Sequence, residues 1–205
     1  MKGKFIVYEG LDGSGKTTQV MRMVEHLRSK GMPCRCEKEP TDGVIGSLAR
    51  NAVKGMEQFD PVTLALLFAA DRAEHVRNVI SPALERGEWV VCDRYVMSNI
   101  AYQSISVPAQ FILDANQAVL TGAGAVLPDV TIFIDTAPKE CADRISSNRL
   151  FEEMFDRADV AMHVRRQYNE AFNLLEKFSM SVRAVHGDAD ADEVFAACME
   201  IVDSL

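Results

Sequence analysis

Residues 10–17 read Gly10-Leu11-Asp12-Gly13-Ser14-Gly15-Lys16-Thr17 and fill the pattern G-x-x-x-x-G-K-[ST] at every specified position. A short β-rich run, Phe5-Ile6-Val7-Tyr8, precedes them, and a helical stretch, 17–30, follows and stops at Gly31. Glycines let such a loop close into a ring of backbone N–H groups around phosphate oxygens. A helix opening at Lys16 aims its N-terminal dipole at the same oxygens. Lys16 then reaches the β- and γ-phosphates, and the Thr17 hydroxyl is placed to bind Mg²⁺. The competing reading is a glycine-rich turn with an incidental lysine. The order strand, loop, helix weighs against it, and the segment is read as a nucleoside triphosphate site.

The rest of the chain continues the alternation. Further strands are expected over 33–38, 89–92, 130–134 and 182–185, with helices over 44–53, 61–86, 108–120, 139–146, 160–178 and 192–202. Strands that are apolar on both sides belong inside a parallel sheet. The expected fold is therefore α/β, a five-stranded parallel sheet flanked by helices. Pro82 is expected to kink or split the helix over 61–86. Residues 144–156 are dense in charge and read either as a solvated turn or as a short lid carrying arginines, Arg144 and Arg149 among them.

At 205 residues the chain fits one domain, 1–205, with the lid as its only appendage. The net charge of −8 argues against a general nucleic-acid or anionic-membrane binder, which needs a basic face. Five scattered cysteines form no C-x-x-C pair and read as reduced thiols. Only four apolar residues follow Lys4, too few for a signal-peptide core, and no run is long enough to span a membrane. A cytoplasmic location is expected. A regulatory GTPase would need an N-K-x-D element, which the sequence lacks, so small kinases and small switch ATPases remain.

A kinase of a small phosphorylated acceptor needs a second anion pocket. Arg94 follows the third strand, where ligands of parallel sheets bind, and Asp93 beside it is placed to orient a metal. Arg50 lies on the helix after Glu39-Pro40-Thr41-Asp42-Gly43 as a possible second phosphate arm. Phe68 and Arg72 stand four apart on one helix face, where a ring and a guanidinium can stack on a base and bond its edge. Ser98, Asn99 and Tyr102, with Gln103 next to them, share one helical side suited to a sugar and base. Each of these has a bland alternative as an ion pair, a core ring or a solvated face.

Taken together, these segments resemble the thymidylate kinase family. The likeness rests on residues 5–19, FIVYEGLDGSGKTTQ, on Glu39 to Gly43, on 66–72 with His75, on Asp93-Arg94-Tyr95 through Tyr102-Gln103, and on residues 128–135, PDVTIFID. It covers nearly the whole chain in the right order. The resemblance implies a P-loop kinase fold, transfer of the ATP γ-phosphate to dTMP with Mg²⁺, and a homodimer. By position it implies that Gly10 to Thr17, with Thr18, bind ATP and that Asp12 sits near the metal and the acceptor's 3′-hydroxyl. Arg50 and Arg94 would hold the dTMP phosphate, Phe68 would stack on thymine and Arg72 would bond its carbonyl edge. Ser98 or Asn99 would approach the base, and Tyr102 would crowd the sugar 2′ position. The phosphate loop has no arginine, so the catalytic arginine is expected in the lid, with Arg149 ahead of Arg144. Residues 185–188, VHGD, depart from the family's usual motif and leave the adenine contact unassigned.

Two alternatives stand beside this reading. One is a kinase for a different nucleoside monophosphate. The other is a non-catalytic ATP-dependent switch, which would have no reason to carry Arg94, Arg72, Phe68 and Tyr102 together.

Overall fold

The computed structural model describes residues 2–148 and 158–205. Its five strands, β1 (Phe5–Gly10), β2 (Cys34–Lys38), β3 (Trp89–Asp93), β4 (Val130–Asp135) and β5 (Val182–His186), form one parallel sheet in the order β2-β3-β1-β4-β5. The phosphate loop therefore leaves the central strand. Parallel neighbours require crossovers, and helices supply them. These are α1 (Lys16–Ser29), α2 (Val44–Val53), α3 (Pro61–His75), α4 (Ser81–Glu85), α5 (Val96–Gln103), α6 (Ala109–Ala115), α7 (Gln117–Leu120), α8 (Pro138–Asn148), α9 (Ala158–Glu176) and α10 (Ala191–Val202).

Side chains alternate across each strand and divide the core in two. Phe5, Val7, Val90, Cys92 and Phe133 face α5, α6 and α9, whereas Ile6, Tyr8, Val91, Ile132 and Ile134 face α1 and α10. The three central strands are almost wholly buried, as their apolar runs require, while β2 and β5 are edges and half exposed. No helix among the described residues is long and apolar enough to cross a membrane.

One expected helix is split where Pro82 was expected to kink or split it, and another differs from the structure. The stretch 61–86 is not one α-helix: α3 passes through a π-helical turn, Val76–Ile80, into α4. Pro82 has no N–H to donate and its ring crowds the carbonyl one turn back, so the ladder widens just before it. The stretch 108–120 is likewise two short helices, α6 and α7, meeting at the buried Asn116.

Candidate active site

The donor loop is folded as its glycines allow. Gly10, Gly13 and Gly15 all have positive φ (147°, 78° and 92°). A Cβ on Gly13 would strike the Cys141 carbonyl oxygen, and one on Gly10 would lie 2.7 Å from the Ile134 carbonyl oxygen. Lys16 is buried and donates to the Leu11 carbonyl at 2.6 Å. Burial, then the nearby Arg94 charge, lowers its pKa to about 8, against the pull of Asp93, Asp12 and Glu9. Thr17 and Thr18 are exposed on the first turn of α1.

Thr17 Oγ1 donates to Asp93 Oδ2 at 2.6 Å, and the other Asp93 oxygen is buried without a partner. An orphaned carboxylate oxygen beside a hydroxyl at the phosphate loop fits a hard divalent cation. Mg²⁺ needs only one or two carboxylates when phosphates supply further oxygens. Among the described residues no group of three or more His, Cys, Asp or Glu could hold a metal alone.

Arg94 joins the two halves of the site. Its φ of 75° is unusual for a residue with a side chain, a local strain typical of ligand sites. Its backbone N–H is held by the Tyr8 carbonyl at 2.9 Å. The turn sends the guanidinium back across the sheet edge. One terminal nitrogen donates to Ser98 Oγ at 2.7 Å, Gly10 O at 3.2 Å and Tyr168 Oη at 3.2 Å. The other donates to Asp12 Oδ1 at 2.7 Å and Tyr102 Oη at 2.9 Å.

Under this network lies Glu9, fully buried at the end of β1. Its Oε1 accepts from the backbone N–H groups of Tyr95 (2.8 Å) and Ser98 (3.2 Å). Helix α5 has no side-chain cap of its own, so a carboxylate from another element caps it. The second oxygen, Oε2, accepts from Tyr168 Oη at 3.0 Å and from the Ser98 hydroxyl. Burial raises the Glu9 pKa, and Arg94, the Ser98 hydroxyl and the backbone N–H groups of Tyr95 and Ser98 oppose the rise.

Beyond Arg94 opens a cavity of about 180 Å³. Arg50, Phe68, Arg72, Arg94, Ser98, Asn99, Tyr102 and Gln103 all line it, and so does Asp12 of the donor loop. Arg50 is tethered to the chain around Pro40: it donates to the Pro40 carbonyl at 3.0 Å and to the Thr41 carbonyl. Arg72 is buried. It donates to Asn116 Oδ1 at 2.6 Å, Asn99 Oδ1 at 3.2 Å and the Tyr95 carbonyl at 3.0 Å. Its Nε is buried with no protein partner. Gln103 receives the Asn99 amide at its oxygen, and its own amide nitrogen is likewise unpartnered. The Tyr102 hydroxyl donates to Asp12 Oδ2 and accepts from the Asp12 N–H, both at 3.1 Å.

Ser98 and Asn99 are the two residues expected to approach a base. Both line the cavity, but the Ser98 hydroxyl is engaged by Glu9, Arg94 and Tyr168, and the Asn99 oxygen by Arg72 and Asn116. Their present partners are protein groups. Arg149 lies outside the described residues. Arg144, on α8, turns toward the chain after β5, pairing with Glu140 at 2.9 Å and donating to the Gly187 carbonyl at 3.3 Å.

Sequence reasoning did not single out Glu9, Glu39, Asn116 or Tyr168. For Glu9 a signal existed: a lone carboxylate inside an apolar central strand must be paired. For Tyr168 and Asn116 nothing local distinguishes them from other helix residues.

A parallel sheet of this order, with a phosphate loop leaving its central strand and an arginine-lined cavity beside it, defines a P-loop nucleotide kinase fold. A family model described as thymidylate kinase matches residues 8–188. A probable thymidylate kinase from Pyrococcus horikoshii is 36% identical over 198 residues, covering 92% of this chain and 94% of that protein. Thymidylate kinases from Caldicellulosiruptor saccharolyticus and a Geobacillus species are 35% and 34% identical, each over at least 97% of both chains. The chain belongs to the thymidylate kinase family.

Proposed function

We propose that this chain transfers the γ-phosphoryl group of ATP to dTMP, giving dTDP and ADP, in the cytoplasm. The observation that carries the reading is the convergence on one cavity. Eight acceptor residues chosen from four separate stretches of sequence line the same space, with the donor loop at its edge. A nucleotide switch has no use for such a cavity.

Phosphoryl transfer leaves little covalent work for the protein. The acceptor phosphate is already an anion, so the chain's task is to align two polyanions and screen their repulsion. Residues Gly10 to Thr18 hold the triphosphate, with Lys16 against its terminal phosphates. Thr17 and Asp93 hold Mg²⁺, which neutralises phosphate charge when bound. Arg94 takes the acceptor phosphate, Arg50 assists, and Asp12 keeps Arg94 oriented and faces the sugar. Phe68 stacks on the thymine ring. Arg72, through its unpartnered Nε–H, and Gln103, through its unpartnered amide, bond the base edge. Tyr102 fills the space at the sugar 2′ carbon and disfavours a ribose. The chain works as one domain, 1–205, with residues 144–156 as a lid, and Arg149 or Arg144 supplies the remaining positive charge. The exposed apolar side chains Leu48 on α2 and Val62 and Leu66 on α3 are the surface through which two copies pair.

The test is ADP formation with ATP and Mg²⁺ against dTMP, dUMP, UMP, dCMP, dGMP and AMP. A strong preference for dTMP, then dUMP, with UMP poor, is expected. Preference for another monophosphate would keep the kinase and remove Phe68, Arg72 and Tyr102 as thymidine readers. ATP binding without turnover on any acceptor would favour the switch. Arg72→Ala should raise the KM for dTMP and narrow the gap between dTMP and dCMP by about 10- to 100-fold.

A further inference from the structure

One buried group has no role in the mechanism above. His75, at the end of α3, is almost fully enclosed, and both of its ring nitrogens face carboxylates. Nδ1 lies 3.0 Å from Glu39 Oε1, and Nε2 lies 3.1 Å from Glu37 Oε2. A neutral imidazole carries one N–H and can donate to only one of them. The imidazolium donates to both.

The chain of charges does not stop there. The second oxygen of Glu39 sits 2.7 Å from a terminal nitrogen of Arg72, an ion pair outside straight hydrogen-bond geometry. On the other side Arg35 pairs with Glu37 at 2.9 Å. From the solvent side of the sheet to the cavity the order is Arg35, Glu37, His75, Glu39, Arg72, alternating in sign at every step. The Cys92 thiol of β3 faces the same carboxylates, and burial, then Glu39, Asp93 and Glu37, push its pKa far up, so it adds no charge.

We propose that His75 is a positioning residue for base recognition: it holds Glu39 so that Glu39 holds the Arg72 guanidinium in the orientation that reads the acceptor base. His75 touches no substrate and lines no part of the acceptor cavity, whereas Glu39 and Arg72 both do. Arg72 is otherwise held by neutral oxygens of Asn99, Asn116 and Tyr95, which bound its position but do not neutralise it. Among the described residues Glu39 is its one carboxylate partner. Without His75 that carboxylate would be free to turn toward whichever cation it could reach. The inference rests on Arg72 reading the base, as proposed above.

The test is a double-mutant cycle on the full chain, with wild type, His75→Gln, Arg72→Ala and the combination compared for KM and kcat. His75→Gln should raise the KM for dTMP about tenfold, the scale of one charged hydrogen bond, and lower the preference for dTMP over dCMP. The KM for ATP and kcat at saturating dTMP should move less than about twofold. In the Arg72→Ala background the same substitution should add almost nothing. His75→Leu, which keeps volume but no donor, should be worse than His75→Gln. If His75→Leu fails to fold, the His75→Gln cycle decides alone.

An unchanged KM for dTMP in His75→Gln would overturn the proposal, as would an effect that simply adds to that of Arg72→Ala. If instead Arg72→Ala leaves dTMP recognition intact, the reading of Arg72 fails first, and the two failures are distinguishable. A second readout is the imidazole NMR titration. Burial by itself would depress the His75 pKa, but the bonds to Glu37 and Glu39 raise it to about 9. The ring should stay protonated well past its usual range in wild type and titrate lower in Glu39→Gln. Titration at the ordinary histidine value in wild type would remove the imidazolium and the proposal with it.

Discussion

The donor loop and the acceptor cavity meet at Asp12, yet they are built in opposite ways. The loop is eight consecutive residues whose backbone does the work, and glycine conformation decides its shape. The cavity draws on α2, α3, α5 and the turn after β3, and its side chains are held by partners as far away as Tyr168. A contiguous backbone device tolerates changes around it and fails when one of its own residues changes. A dispersed side-chain device can be disturbed from a distance.

The largest expected effect tests the loop. Lys16→Ala should lower kcat by about 10³-fold, with the melting temperature unchanged or raised, because a buried amine of depressed pKa is removed. Near-normal turnover in that variant would break the assignment of the donor half. Next comes the junction. Arg94→Lys should cost about 10²-fold in kcat/KM for dTMP, since one ammonium cannot replace a fork that serves five oxygens. Recovery of activity in the lysine variant would show that charge alone suffices there.

Smaller effects sharpen the contrast. Tyr102→Phe removes a hydroxyl bonded both to the Asp12 backbone of the loop and to Arg94 of the cavity. The KM values for ATP and dTMP should rise together, by about tenfold or less, while rejection of UMP persists because the ring remains. A rise confined to dTMP would place the hydroxyl in the cavity alone. Within the loop, Gly13→Ala should destabilise far more than Gly15→Ala. Both have positive φ, but only at Gly13 does a Cβ meet a backbone carbonyl, and at Gly15 nothing lies within 4 Å. Gly15→Ala should cost about 1 kcal/mol by denaturant titration. Equal losses at the two positions would mean that backbone strain, and not the neighbouring α8, governs the loop.

Much of the fold was legible before the structure. Five apolar or β-rich runs became the five strands, and the helix over 44–53 ends where expected. The break in 61–86 was legible from Pro82, whereas the break in 108–120 was not. Helical periodicity continues smoothly through 61–86 and 108–120, but Pro82 interrupts the hydrogen-bond ladder in the first, and the second breaks at Asn116, whose side chain turns inward to bond Arg72, Asn99 and the Ile112 carbonyl. Pro82 announces the first event in the sequence, but apolar spacing carries no record of the second. The candidate acceptor residues line one cavity, but Arg50, Phe68 and Arg72 each had a bland reading by themselves, and it was the family resemblance that joined them into a set.

By itself the sequence determined the phosphate loop, the parallel α/β class and the identity of the groups that could face an anion. These depend on local conformation, which a few adjacent residues control. Only the tertiary structure decided how those groups are held. Glu9 caps a helix through the Tyr95 N–H, 86 residues away, Tyr168 reaches Glu9 across 159, and Glu39 meets Arg72 and His75 from another element. Buried charges must find partners of opposite sign, and which partner is within reach is set by the packing of the whole chain, not by any segment of it.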